Sequence, residues 1–294
     1  MFAFALLAAA CGAAPAPTAT PLPSPTALPT TTPFPTLAST ATAIPTATLV
    51  PTPWPTPDAE APSRRVRLPI LMYHYVEPWP VDPNDVRQAL TVKPEDFAAQ
   101  MQYLRDNGFV SVSLYDLLYA LALGWPLPAR AVVITFDDGY RSLVDYAVPV
   151  MQPLGFTGTV FVVTEVMDKG LAQYLTWPQA EALYAQGWKI EPHTKSHQQL
   201  AGRDRDFQLY EMLGSVQTVA AHIGVQPRFF NYPAGQYDDL TLQLAREMNL
   251  WGGVSTEFGR EHTLESLYTL SRVRVDGRGA LPGFVNGVTG SLEP

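Results

Sequence analysis

The chain has 294 residues, carries 19 Lys and Arg against 27 Asp and Glu for a formal net charge of −8, and holds one cysteine. That charge argues against nucleic acid or an anionic membrane surface as a partner. A lone cysteine, at position 11, leaves no internal disulfide and no thiolate-based zinc site.

Residues 1–12, MFAFALLAAACG, form a short apolar run that ends in small residues and Cys11. The run is too short to span a bilayer. It reads as a lipoprotein-type signal segment with Cys11 as the lipidated residue; the alternative is a conventional cleaved signal peptide. Residues 13–62 are almost wholly Pro, Thr, Ala and Ser. Such a stretch has little to bury against its ordering entropy and is expected to be a disordered tether, on the order of 100–150 Å long at full stretch. The expected location is the cell envelope or the extracellular space, with membrane attachment through Cys11. Residues 63–294 are expected to fold as one sizeable α/β catalytic domain, as a monomer.

From Arg67 onward, apolar runs alternate with stretches of helical period. LPILMYHYV reads as a strand, and KPEDFAAQMQYLRDNG as a helix closed by Gly108. FVSVSL is strand-like, YDLLYALALG a helix ending at Gly124, and AVVITFDD a strand. YRSLVDYAVPVMQPLG is a helix interrupted at Pro149, followed by the strand TGTVFVVT. The next helix, TWPQAEALYAQG, has Thr176 and Gln179 placed for a capping box. WKIEPHT, the long helix DFQLYEMLGSVQTVAAHIG, RFFNYP, DDLTLQLAREMN, LWGGVST and LSRVRV complete the series. Strands alternating with helices predict a mostly parallel sheet with helices outside. About seven strands fit a barrel, and an open doubly wound sheet has the same signature. In either fold the chemistry gathers at the C-terminal ends of the strands. Asp137, Asp138, His193 and Asn231 would then share one mouth.

TFDDGY, residues 135 to 140, sets two carboxylates side by side after the apolar run 131–134. Asp-Asp-Gly is also ordinary turn chemistry. EPHTKSHQQL places His193 and His197 four apart after the strand WKI. Two imidazoles at that spacing can face one metal. With Asp138 they make three protein ligands, an open set that suits a catalytic divalent ion. Successive strand side chains point to opposite faces, so both aspartates reach one site only where the strand ends, and Gly139 lets the backbone bend there. One carboxylate would then ligate the metal while the other stays free to accept a proton from water.

TFDDGY, HTKSH and FFNYPAGQYD, in that order and spacing, resemble the metal-dependent polysaccharide deacetylases, and ILMYHYV resembles the branch acting on poly-N-acetylglucosamine-type polymers. The resemblance runs from about Pro69 to Val275. It implies a distorted (β/α)7 barrel, a divalent metal, usually Zn2+, and hydrolysis of N-acetyl groups on a polysaccharide substrate. Carried over, it implies Asp137 as general base, Asp138, His193 and His197 as metal ligands, and the backbone N–H of Ala234 as oxyanion donor in Tyr232-Pro233-Ala234-Gly235. Ala234 stands where the family usually has tyrosine. Asn231 stands where the family commonly has arginine; Arg272 in LSRVRV resembles an arginine near the end of the domain in the poly-N-acetylglucosamine branch, which implies that it orients Asp137 instead. No late Leu-x-x-His motif supplies a general acid. His262 lies in what reads as a polar loop, so His74 at the end of the first strand is the expected acid. His222 reads as a helix C-terminal cap, Trp188 and Trp251 as core. Trp79 and Tyr140 are candidate sugar platforms.

Three rival readings remain in view. A glycosidase needs carboxyls about 5 Å or more apart on opposite sides of a scissile bond, which neighbours in sequence serve poorly. An acetyl-xylan-type esterase would use the same residues on an ester. A non-catalytic glycan-binding module would need the ligands but not Asp137.

Overall fold

The computed structural model describes residues 54–290. Cys11, the rest of the expected signal segment and residues 13–53 of the expected tether lie outside the described residues. Residues 54–62 differ from the tether expectation, because they pack on the domain. Trp54 meets Trp251 edge-on at 6.4 Å, the Asp58 N–H donates to the Ala122 carbonyl at 2.9 Å, and Ala61 is fully buried.

Seven strands form the main sheet: β1 (Ile70–Tyr73), β2 (Ala131–Phe136), β3 (Thr159–Val162), β4 (Lys189–Pro192), β5 (Phe229–Asn231), β6 (Gly252–Phe258) and β7 (Leu270–Arg274). Their order is β4-β3-β2-β1-β7-β6-β5, and each neighbouring pair is parallel. Going round from β1, the strands therefore follow the chain in both directions until β4 and β5 face each other, which is a seven-stranded barrel with one unlaced seam. A two-residue strand, Val110–Ser111, adds to the start of β2. Six helices of nine residues or more surround the barrel: α1 (Pro94–Asp106), α2 (Leu114–Leu123), α3 (Trp177–Ala185), α4 (Arg205–Ile223), α5 (Asp239–Glu247) and α6 (Leu281–Thr289).

Local chemistry sets these boundaries. Ser113, Thr176 and Asp238 each close a capping box, with Asp116, Gln179 and Thr241, so α2, α3 and α5 begin where a side-chain oxygen meets an otherwise unpaired N–H. Pro149 lacks the N–H that an α-helix would donate. The turn before it widens into a π-helical stretch, Leu143–Ala147, and the helix resumes at Val148–Met151. The predicted strand FVSVSL shrinks to Val110–Ser111 because Ser113 already caps α2. Among the short elements that escape the sequence pattern are the helix Asp85–Leu90, capped by Asn84, and α6, whose LPGFVNGVT has poor helix formers.

Two histidine readings are corrected. His262 is not in a polar loop: it is fully buried in the strand Glu261–His262, which pairs with Val66–Arg67, and its Nε2 lies 2.9 Å from the Leu68 carbonyl. His222 does not cap a helix end. Its ring stacks on Trp177 at 4.0 Å and 4°, while Gly224 in the left-handed region closes α4 onto the Ala220 carbonyl. Trp188 and Trp251 are core residues.

Glu191 spans the seam. Its Oε2 accepts from the backbone N–H groups of Arg228 at 3.0 Å and Phe229 at 2.9 Å, and its Oε1 from the Tyr115 hydroxyl at 2.7 Å. One side chain of β4 thus supplies the acceptors that a neighbouring strand would give to β5. Burial pushes its carboxyl up to about 7, against the pull of those hydrogen bonds. Glu191→Leu removes the acceptor shared by two buried N–H groups, each worth about 1–3 kcal/mol when lost. Chemical denaturation should show a large loss for Glu191→Leu and a much smaller one for Glu191→Gln, which keeps an acceptor oxygen. Equal losses would show that the seam does not depend on this side chain.

Candidate active site

β2 ends at Phe136, and the two following aspartates diverge from there. Asp138 itself has φ 68°, and Gly139 follows at φ 73°. The bend therefore begins one residue before the glycine expected to make it. A Cβ on Gly139 would sit 3.2 Å from Val162 Cγ1, so the turn is tight as well as left-handed.

Asp137 turns into the barrel and meets Arg272 of β7. Arg272 Nη1 donates to Oδ1 at 2.7 Å and Nη2 to Oδ2 at 2.8 Å, a bidentate pair in which Asp137 is 3% exposed and Arg272 0%. The remaining guanidinium donors go to the Ser255 carbonyl at 2.8 Å, Thr135 Oγ1 at 3.1 Å and Asn231 Oδ1 at 3.3 Å. Asn231, the position where an arginine was expected from the family pattern, thus accepts from the arginine that arrives from another strand. Burial works to raise the Asp137 pKa, but Arg272 and then His74 outweigh it and hold the carboxyl below its usual value.

Asp138, His193 and His197 come together as the spacing implied. Asp138 Oδ1 lies 3.3 Å from His193 Nε2 and 3.2 Å from His197 Nε2, and their ligand atoms all fall within 4.8 Å of one another. Neither contact has hydrogen-bond geometry, and Asp138 Oδ1 is buried without a hydrogen-bond partner. Two tetrahedral ligands at zinc-type distances of about 2.0–2.1 Å lie roughly 3.3 Å apart, so each of the two O···N spacings fits a divalent ion held between Asp138 and a histidine. Burial raises the Asp138 pKa, and the two imidazoles more than reverse it, to well below the usual value. The Asp138 carboxylate, 3.2 Å away, raises the His197 pKa by more than burial lowers it.

Both histidines are held from behind. His193 Nδ1 is 2.7 Å from the Asn231 carbonyl, which makes Nδ1 the donor and leaves Nε2 free as a ligand. The His197 N–H donates to Thr194 Oγ1 at 2.9 Å. Glu211 of α4, 2% exposed, anchors the intervening loop by accepting from the N–H groups of Lys195 at 3.0 Å and Ser196 at 2.9 Å. Sequence reasoning missed Glu211. Its signal was a polar residue inside the buried stripe of α4, beside Gln208, Met212 and Ser215.

The remaining expected residues are placed as follows. His74 directly follows β1, with Nε2 3.8 Å from Asp137 Oδ2. Burial lowers its pKa, and the opposing charges of Asp137 and Asp138 do not make up the difference. Ala234 follows β5 at the same end of the barrel, exposed and left-handed at φ 53°. Gly235 behind it has φ 69°, and a Cβ there would lie 2.3 Å from Thr256 Oγ1. Tyr140 is no open sugar platform, because its ring lies between Tyr75 at 3.7 Å and Tyr174 at 5.1 Å. Trp79 donates to the Thr91 carbonyl and has Lys93 over its ring.

The polysaccharide deacetylase family profile matches residues 125–252. Over 213 residues the chain is 32% identical to the polysaccharide deacetylase homologue YxkH of Bacillus subtilis (strain 168), spanning 72% of this chain and 73% of that one. A 94-residue stretch is 34% identical to the poly-β-1,6-N-acetyl-D-glucosamine N-deacetylase of Escherichia coli (strain K12), covering 32% of this chain and 13% of that protein. Among solved structures, the Streptococcus pyogenes deacetylase PplD in complex with acetate superposes with a TM-score of 0.71 at 28% identity, over 76% of this chain and 99% of that one. With the barrel, the paired aspartates and the histidine loop in place, the chain belongs to the polysaccharide deacetylase family.

Proposed function

We propose that this chain is a metal-dependent hydrolase that removes N-acetyl groups from a cell-surface or extracellular glycan of the poly-N-acetylglucosamine type. One observation carries the reading: Arg272 holds Asp137 ionised and oriented beside the Asp138, His193 and His197 group. A pure binding module has no use for that clamped carboxylate. Similarity to the E. coli poly-β-1,6-N-acetyl-D-glucosamine N-deacetylase supports the glycan class.

Asp138 Oδ1 and the Nε2 atoms of His193 and His197 would hold the ion, zinc by donor type, which when bound supplies Lewis acidity toward the acetyl carbonyl and lowers the pKa of water. Asp137 takes the proton from the attacking water. The Ala234 N–H donates to the oxygen that gains negative charge as the carbonyl carbon becomes tetrahedral. His74 delivers a proton to the amine nitrogen as the C–N bond breaks, releasing acetate and the free amine. Its low pKa weakens its hold on that proton. His74 Nε2 lies 3.8 Å from Asp137 Oδ2, so closing that gap to hydrogen-bond reach would let the proton collected by Asp137 reload His74 for the next turnover.

Release of acetate from a panel of N-acetylated glycans and acetyl-xylan tests the substrate class; release from acetyl-xylan alone would overturn the amide reading. Purified protein should contain about one divalent ion per chain, in line with a single three-ligand site, and chelation should abolish turnover. Asp137→Asn should keep the ion and lose nearly all activity, whereas Asp138→Ala should lose the ion too. Equal metal loss in both would merge the two roles.

Arg272→Met should raise the Asp137 pKa, because the charge that lowers it is gone. The acid limb of the kcat/KM profile should then move to higher pH. An unmoved limb would detach Arg272 from the base. Breaking the buried pair should also destabilise the fold by about 3–5 kcal/mol, which a denaturation curve measures.

His74→Ala should slow hydrolysis of N-acetyl substrates by about 10²-fold or more, the usual scale for acid catalysis. Nitrophenyl acetate, whose leaving group departs without protonation, should be affected much less. If both substrates slow equally, the acid lies elsewhere.

A further inference from the structure

Opposite the mouth, at the N-terminal ends of the strands, a cavity of about 550 Å³ opens between the segment entering β1 and the loop joining α2 to β2. Arg64, Arg65, Arg67 and Arg130 line it with Trp125 and Phe109, and no acidic side chain contributes to its wall. In a chain of net charge −8 this is a local surplus of the opposite sign. Arg64 is largely neutralised, since it pairs with Asp58 at 2.9 Å and donates to the Leu121 carbonyl. The other three pair with no carboxylate among the described residues. Arg67 donates to the Thr289 carbonyl at 3.0 Å, and Arg130 to the Asn107 carbonyl at 3.1 Å with its guanidinium 5.5 Å over the Phe109 ring. Arg65 is exposed and makes no hydrogen bond or ion pair among the described residues. Arg260 is tied to the Asn286 and Gly287 carbonyls at the same end of α6, and burial and then the Arg67 charge lower its pKa. Trp125, 57% exposed, lines the same cavity with its ring tilted against Tyr119 at 4.9 Å.

We propose that this cavity binds a phosphate-bearing anion, a mono- or diester whose oxygens take donors from Arg65, Arg67 and Arg130 while its organic part lies against Trp125. Guanidinium forks match phosphate oxygens in pairs, and the volume is that of a small-ligand site. An exposed indole rimmed by arginines is also the side-chain set that suits a lipid headgroup layer. The whole-chain charge, which argued against an anionic surface, averages over this face and conceals it. The same chemistry has two sources, a soluble phosphate ester and an anionic phospholipid headgroup. None of the residues assigned to deacetylation lies in this cavity, so the proposal stands apart from that reading.

The test uses the full chain, with Cys11→Ala in every sample so that no acyl chain inserts. Glycerol phosphate is titrated by calorimetry, and the protein is sedimented with vesicles of phosphatidylglycerol or of phosphatidylcholine. Saturable glycerol phosphate binding is expected. The double variant Arg65→Ala, Arg130→Ala should weaken it by about tenfold or more, the scale of lost charge-assisted contacts. Arg203→Ala with Arg205→Ala removes the same charge elsewhere and should change it little. Sedimentation with phosphatidylglycerol alone, lost in the cavity variant, would assign the lipid source; glycerol phosphate binding without sedimentation would assign the soluble one. Arg65→Ala alone removes no contact within the fold and carries the same test if the double variant melts early. No binding to either probe, or equal weakening by the two double variants, overturns the proposal.

Discussion

The buried pair of Arg272 and Asp137 is the interaction on which the site is built. Two charges taken out of water cost several kcal/mol each unless their hydrogen bonds are nearly complete, and here they are. Arg272 reaches Asp137 and Thr135 on the β2 side, Ser255 of β6 and Asn231 of β5, so one guanidinium ties four strands of the barrel together at its mouth. Removing either partner strands the other. The same contact that holds the strands in place fixes the ionisation of the carboxylate, so stability and chemistry cannot be separated at this point.

Much of the site was legible because it depends on short-range spacing. Asp137 and Asp138 are neighbours, His193 and His197 lie one loop apart, and all four follow strands whose apolar runs are plain in the sequence. The capping box at Thr176 is local for the same reason. What the sequence did not disclose involves partners far along the chain. Glu191 meets Arg228 and Phe229 thirty-seven and thirty-eight residues later, and Glu211 reaches back to a loop fifteen residues earlier. The polar flanks of His262 suggested a loop, yet pairing with Val66 buries it. Tyr140 looked like an open ring, and two other tyrosines cover both of its faces. Arg272 is the exception, a distant partner read correctly because the expected arginine was missing at Asn231.

Backbone strain is concentrated where the chemistry is. Among the described residues six non-glycine residues have positive φ, and Asp138, Thr194, His197 and Ala234 are four of them. Each such conformation costs on the order of 1–3 kcal/mol. They persist because neighbours overdetermine them: Glu211 holds the histidine loop, Thr194 Oγ1 accepts the His197 N–H, and Gly235 closes the turn after Ala234. Asp138 and His197 thus come within 3.2 Å of each other from segments that ordinary strand or helix geometry would have aimed elsewhere.

The origin of Arg272 in β7 also has a bearing on synthesis. β1 pairs with both β2 and β7, so the early strands wait with one edge open until the last strand arrives. On the ribosome, Asp137 emerges well over a hundred residues before its counter-charge. Until then its carboxylate must remain hydrated, and hydration holds that end of the barrel loose. Vectorial translation therefore leaves this buried pair among the last features to form, and a nascent chain stalled before β7 would carry the recognisable motifs with Asp137 unpaired.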